Sequence, residues 1–313
     1  MVFSNCKNEE EDSKMKKLLI KIYIVLQDVY KLLWNDFWLK LNKKPIVKSD
    51  LETIQKIVSE KCSICRYGDG EFSLIMGENL KFQDYSPAIA RELADILIAD
   101  LDNKNMLVCI PDIFENINKF ALAPKKYWKH YLHNKRNRIY KLIRFDKEYY
   151  DAQITRFYID YADKRNIKQK VAMLKKIWDD KRLLIVEGEK SRLGMGNNLF
   201  DNARDIKRVV CPSRNAYERI DDIVKCVNEL ESQYDLILLA LGPTATVLAY
   251  RLANRKRQVL DIGHIDIEYE WYLKGIIEKE PVEHKYIGEM PGGDIVDDIV
   301  DEQYISQIVA KIL

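Results

Sequence analysis

Short apolar runs recur along this chain, separated by stretches with helical spacing, and that alternation limits the fold more than any other feature. The runs are Ser63–Tyr67, Met106–Ile110, Ile154–Ile159, Leu183–Glu187, Arg208–Cys211, Leu236–Leu241 and Val259–Ile262. Amphipathic patterns lie between several of them, as in Pro87–Leu101, Lys168–Asp179 and Tyr217–Gln233. Such alternation predicts an α/β fold, a mostly parallel sheet with helices on both faces. Ligands of these sheets bind beyond the carboxyl ends of the strands, so the residues that follow each run carry the functional information. No internal repeat, low-complexity tract or Pro/Gly-rich linker interrupts the pattern.

The 313 residues suffice for one large α/β domain or two small ones. A hydrophobic share of 47% with 32% charged residues excludes a disordered chain. The net charge of +2 leaves no electrostatic footprint for nucleic acid as the main partner. Residues 1–14 read as a polar tail without the basic and apolar regions of a signal peptide. Six cysteines, Cys6, Cys62, Cys65, Cys109, Cys211 and Cys226, are then expected as free thiols in a reducing cytoplasm. Cys62-x-x-Cys65 lacks further zinc ligands nearby and lies along an apolar strand, so neither a metal nor a redox role is expected.

Residues 15–45 form a separate helical segment before a catalytic domain over 46–313. Leu19, Ile22, Leu26, Val29, Leu33 and Phe37 recur at helical spacing over 15–42. Lys21, Asp28, Lys31 and Asp36 interrupt any apolar span, so this helix cannot cross a bilayer. It packs on its own domain or a partner, or lies on a membrane surface with Trp34 and Trp38. The stretch 121–150 mixes basic and aromatic residues, which suits either a solvated helical face or an acceptor-binding insertion.

Five clusters follow predicted strands. In Arg66-Tyr-Gly68-Asp69-Gly-Glu71, two carboxylates two positions apart suit Mg²⁺ or Mn²⁺ beside phosphates, and Arg66 offers a fixed positive charge. The same Gly-Asp-Gly also suits a plain surface turn. In Glu187–Asn198, Ser191, Arg192, Gly194, Gly196 and Asn197 can wrap a phosphate, although the segment matches neither a Walker A loop nor a dinucleotide fingerprint. Ser213 and Asn215 precede a predicted helix and can cap it or touch a base or ribose. Gly242, Pro243 and Thr244 end the most apolar run, where backbone can approach a diphosphate or simply turn into a helix. Last come His264, Asp266, Glu268 and Glu270. In a helix His264 shares a face with Glu268, and Asp266 with Glu270. A carboxylate here can serve as general base, and His264 as a metal ligand or diphosphate donor.

The blocks RYGDGEFSLIMGE, EGEKSRLGMGNNLFDNARDIKRVVCPSRNAYERID and LALGPTATVLAYRLANRKRQVLDIGHIDIEYEWYL together resemble the bacterial GT-D fold glycosyltransferases, first catalogued as a domain of unknown function. The resemblance covers roughly residues 50–290 and leaves out the helix at 15–42. It implies a Rossmann-like fold, a UDP-sugar donor, Mn²⁺ or Mg²⁺, and transfer of a hexose to a hydroxyl of a growing glycan. It implies that Asp69 and Glu71 bind the metal–diphosphate, and that His264 and Glu270 serve the metal and the chemistry. Which of Asp266, Glu268 and Glu270 is the base stays open. The alternatives are a metal-dependent nucleotide or phosphate-ester hydrolase and a non-catalytic nucleotide-sugar-binding protein.

Overall fold

The computed structural model describes residues 15–27, 29–30, 33, 43–101, 105–293, 295–298 and 300–313. The polar tail at 1–14, Cys6, Asp28, Lys31 and the expected helical residues 34–42 lie outside them. Nine strands form one sheet: β1 Ile46–Val47, β2 Ser63–Arg66, β3 Met106–Ile110, β4 Glu148–Asp151, β5 Arg182–Gly188, β6 Asp205–Cys211, β7 Leu236–Ala240, β8 Val259–Asp261 and β9 Ile308–Lys311. Their order is β1-β4-β3-β2-β8-β7-β5-β6-β9, and every pairing is parallel.

The central strands are apolar throughout because both faces of the sheet are covered. Along β5, Leu184 and Val186 enter one core while Leu183 and Ile185 enter the other; in β7, Ile237 and Leu239 oppose Leu236 and Leu238. The first core is closed by α4 (Pro87–Ile98), α5 (Leu122–Tyr140), α7 (Ile220–Leu230) and α8 (Pro243–Leu252). The second is closed by α2 (Asp50–Glu60), α6 (Ile167–Lys175) and α9 (Ile265–Lys274). Two short helices, α3 (Asp69–Ile75) and α10 (Glu302–Gln307), follow β2 and precede β9. Residues 15–27 form a helix, α1, as their spacing predicts, and the described residues 29, 30 and 33 are helical and counted with it.

The expected strand at Ile154–Ile159 is corrected. Strand β4 lies earlier, and Ala152–Thr155 is a 3₁₀ turn opened by Asp151, whose side chain accepts Gln153 N–H at 2.8 Å. The apolar residues that follow are buried, yet Tyr158 N–H and Ile159 N–H donate to a side chain, Glu268, rather than to a neighbouring strand. The expected helix at Tyr217–Gln233 is shorter as an α-helix: a 3₁₀ turn over Ala216–Arg219 leads into α7.

Strand β2 continues outward to β3 and β4, whereas β8, β7 and β5 fill the sheet on its other side. Their carboxyl ends therefore open on one crevice where the strand order changes direction.

Candidate functional site

That crevice is a cleft of about 720 Å³. Segments that follow β2, β5, β6, β7 and β8 line it, with α5 contributing Ala123, Pro124, Tyr127 and Trp128. Each of the five sequence clusters contributes residues to this cleft, although not every residue in each cluster reaches it.

The first cluster does. Gly68 is the N-cap of α3, and Asp69 and Glu71 lie in its first turn. Glu71 reaches back so that its Oε2 accepts Gly68 N–H at 2.6 Å. Burial pushes the Glu71 carboxyl up to about 7, against the lowering effect of that N–H. Asp69 accepts a hydrogen bond from the Tyr127 hydroxyl of α5. Gly68, Asp69 and Glu71 all line the cleft.

Arg66 also lines it, but its guanidinium is occupied by protein. Nε donates to Asp261 O at 2.8 Å and Nη2 to Asp261 Oδ1 at 2.9 Å, while Nη1 donates to Thr155 Oγ1 at 2.6 Å. The expectation of a free phosphate-binding charge is corrected to that of a clamp between strand ends. Gly263 permits the clamp: its φ is +42°, and a Cβ there would sit 2.1 Å from Arg66 Nη2.

The loop after β5 is divided. Ser191 lines the cleft beside Gly188 and Lys190. Arg192, Gly194, Gly196 and Asn197 do not, so the expected phosphate wrap by the whole loop is corrected. Arg192 is buried and donates to the carbonyls of His284 and Asp297. Gly194 (φ +73°) lies against the Phe200 ring, where a Cβ would approach to 2.5 Å. Gly196 also has positive φ, +75°, with open space where a Cβ would stand. Asn197 Nδ2 donates to Asp266 Oδ1 and Glu270 Oε1, each at 2.7 Å.

Ser213, Gly242 and Pro243 line the cleft. Ser213 Oγ donates to Glu189 Oε1 at 3.1 Å. Asn215 instead exchanges hydrogen bonds with Asp84 at 2.8 and 2.9 Å, and its side chain makes no helix cap. Thr244 is buried, donates to Gln83 Oε1 at 3.2 Å and leaves the N-cap position of α8 to Gly242.

The last cluster separates by position along α9, its start reaching the cleft and the rest of the helix not. His264 and Asp266 line the cleft, while Glu268 and Glu270 do not. Asp266 receives Lys285 Nζ at 2.7 Å, and Glu270 receives the same ammonium at 3.1 Å. Glu268 Oε2 accepts Tyr158 N–H and Ile159 N–H, both at 2.9 Å, so this carboxylate holds a loop. His264 Nε2 lies 3.3 Å from Glu289 Oε1 without hydrogen-bonding geometry. Burial, then the Arg156 charge, pushes the imidazole down to about 3, which keeps it neutral.

Sequence reasoning missed Arg156, Lys190, Lys279 and Glu289, all cleft-lining. Glu289 pairs with Arg156 and with Lys279 Nζ at 2.7 Å. Burial alone would raise the Glu289 carboxyl, but the Arg156 and Lys279 charges outweigh it and hold the group well below the usual range. For Arg156, Lys279 and Glu289 the only available signal was charge in segments that carry no motif, whereas Lys190 lies within the Glu187–Asn198 cluster. Among the described residues no three His, Cys, Asp or Glu side chains converge as a metal cage. Asp69 and Glu71 instead fit an ion that takes one or two protein oxygens and completes its shell with phosphate and water.

A family model described as the glycosyltransferase GT-D fold matches residues 64–290. Two curated relatives are each 38% identical: "Glycosyltransferase GlyD" of Streptococcus pneumoniae serotype 4, over 92% of this chain and 35% of that protein, and "Probable glycosyl transferase Gly" of Streptococcus gordonii, over 83% and 38%. The chain thus spans little more than a third of the length of these relatives. A solved structure described as a new glycosyltransferase from Streptococcus sanguinis is 37% identical with a TM-score of 0.81, over 86% of this chain and 100% of that one. Another, described as a domain of unknown function with a distinct glycosyltransferase fold, is 35% identical with a TM-score of 0.82, over 88% and 99%.

Proposed function

Because this chain belongs to the glycosyltransferase family of the GT-D fold, we propose that residues 46–313 form a transferase domain. Its cleft takes a UDP-sugar with Mn²⁺ or Mg²⁺ and moves a hexose, glucose or galactose first, to a hydroxyl of a glycan acceptor. The observation that carries this reading is the pairing of Asp69 and Glu71 in the first turn of α3, at the carboxyl end of β2, on a cleft that also presents Lys190, Arg156 and Lys279.

Asp69 and Glu71 would hold the divalent cation, which when bound supplies charge neutralisation for the departing diphosphate. Lys190 stands at the β5 end with Ser191 to orient phosphate oxygens. The neutral His264 can donate a hydrogen bond without adding charge. Of the three carboxylates after β8, Asp266 is the one on the cleft wall, which favours it as the base that takes the acceptor proton. Glu270, through Lys285 and Asn197, positions Asp266. Tyr127 of α5, 47% exposed, offers an aromatic surface for a sugar.

UDP release from a panel of UDP-sugars with Mn²⁺, with and without EDTA, tests the proposal. The isosteric Asp69→Asn/Glu71→Gln variant is the control, because the amide oxygen introduced in place of the Glu71 carboxylate can still accept Gly68 N–H and spare the helix cap. Metal-dependent release with one preferred sugar, lost in a variant that melts like the wild type, supports the assignment. Release of phosphate without dependence on a sugar acceptor favours the hydrolase alternative. Absence of UDP binding under any metal overturns the reading, and UDP binding that never leads to transfer favours a nucleotide-sugar-binding protein.

A further inference from the structure

Helix α1 carries a broad apolar face that nothing among the described residues covers. Leu18, Leu19, Ile22, Leu26, Val29 and Leu33 are each 46–66% exposed. With the exposed Tyr23 and Val25 added, the apolar side chains at 100° per residue span roughly 160° of the circumference, wider than the two-position seam of a coiled coil. The opposite side carries Lys16, Lys17 and Lys21, with Ile20 and Ile24 between them, and the sequence adds one acid, Asp28, at the same helical phase. Neighbouring copies of such a helix would bring like charges together. No helix among the described residues is long and apolar enough to cross a membrane.

From the wide apolar face and its lysine-rich flank, we infer that α1 lies in the plane of an anionic lipid surface. Apolar side chains enter the acyl boundary and the lysines meet the headgroups. The body of the protein follows the helix: the Tyr30 ring packs edge-on against His133 of α5, with centroids 6.4 Å apart. Helix α5 forms one wall of the cleft, and its first turns add Leu122, 70% exposed, and an exposed Lys126. Docking of α1 therefore brings that wall to the lipid surface. This inference does not depend on which sugar is transferred.

Co-sedimentation of the full chain with phosphatidylglycerol and phosphatidylcholine vesicles tests it. The chain is expected to sediment with the anionic vesicles, to be released by salt, and to leave phosphatidylcholine largely unbound. Ile22→Glu/Leu26→Glu abolishes sedimentation, and Lys16→Gln/Lys17→Gln/Lys21→Gln weakens it by roughly two orders of magnitude, the sum of three headgroup attractions. Both variants keep the wild-type unfolding midpoint, since α1 contributes nothing to the two sheet cores. Undiminished vesicle binding by Ile22→Glu/Leu26→Glu overturns the inference. So does failure of the wild type to bind either vesicle; if sedimentation velocity then shows a dimer that the same variant dissociates, the face belongs to a second copy of the chain.

Discussion

Arg66 and Asp261 stand at the carboxyl ends of adjacent strands β2 and β8, joined by one guanidinium bond to the carboxylate at 2.9 Å and one to the backbone carbonyl at 2.8 Å. Their side chains are 14% and 5% exposed. Removing one partner of such a buried pair leaves an uncompensated charge, which costs about 3–5 kcal/mol. Arg66→Ala should therefore lower the stability of the whole fold by that amount, measured by urea unfolding. If Arg66 served mainly to bind diphosphate, the variant would unfold like the wild type and lose only donor affinity.

Glu268 makes a second fold-level prediction, this one dependent on pH. Burial, then the Asp160 charge, pushes its carboxyl from 4.5 up to about 7. Between those values the folded chain keeps a proton that the unfolded chain has released. The contribution of Glu268 to stability therefore falls as pH rises across that window and levels off above it. Glu268→Gln keeps an acceptor for Tyr158 N–H and Ile159 N–H and removes the titration. The wild-type-minus-variant difference in unfolding free energy should slope downward from pH 4.5 to 7, and a flat difference would refute the assignment. Glu268→Ala leaves both buried N–H groups unpaired, at about 1–3 kcal/mol each.

How far the fold could be read from sequence depended on where each strand sits. Strands β2, β3, β5, β7 and β8 are central and buried on both sides, so their apolar runs were visible. Strands β1, β4 and β9 lie towards the sheet edges; β4 reads Glu-Tyr-Tyr-Asp, and its place was taken in the sequence reading by Ile154–Ile159, whose burial comes from loop packing. In the site, Asp69 and Glu71 were legible because a Gly-Asp-Gly turn follows an apolar strand. Arg66 was legible as a cation, but its partner is 195 positions away and no local pattern announces it. Arg156 and Glu289 meet across 133 positions for the same reason.

Lys285 reaches its partners over a shorter span, 19 and 15 positions. Its ammonium bridges Asp266 at 2.7 Å and Glu270 at 3.1 Å, and its side chain is 2% exposed. Lys285→Met keeps the aliphatic stem but leaves two carboxylates facing Asn197 alone. The expected loss is about 3–5 kcal/mol in urea unfolding. Lys285→Met combined with Asp266→Asn and Glu270→Gln should recover much of it, because the unpaired charges are gone. No recovery would mean that Lys285 acts through packing.

The histidine on the cleft wall distinguishes two chemical roles. An imidazole that protonated near neutrality would impose a limb on the pH–rate profile and would repel a divalent cation bound nearby. Burial and the Arg156 charge push His264 down to about 3, so its imidazole stays neutral from about pH 5 upward, with one nitrogen free to donate a hydrogen bond and the other to accept one. With four histidines in the chain, ring NMR signals can be assigned by single His→Gln variants. His264 should show no titration between about pH 5 and 8. A midpoint near 6.5 would instead place a titrating acid–base group on the cleft. Since charging of His264 is disfavoured in the fold, its contribution to stability is complete above about 6.5 and falls as pH drops toward 3. His264→Gln should therefore narrow the stability loss on acidification while leaving the unfolding free energy at about pH 8 within about 1 kcal/mol of the wild type.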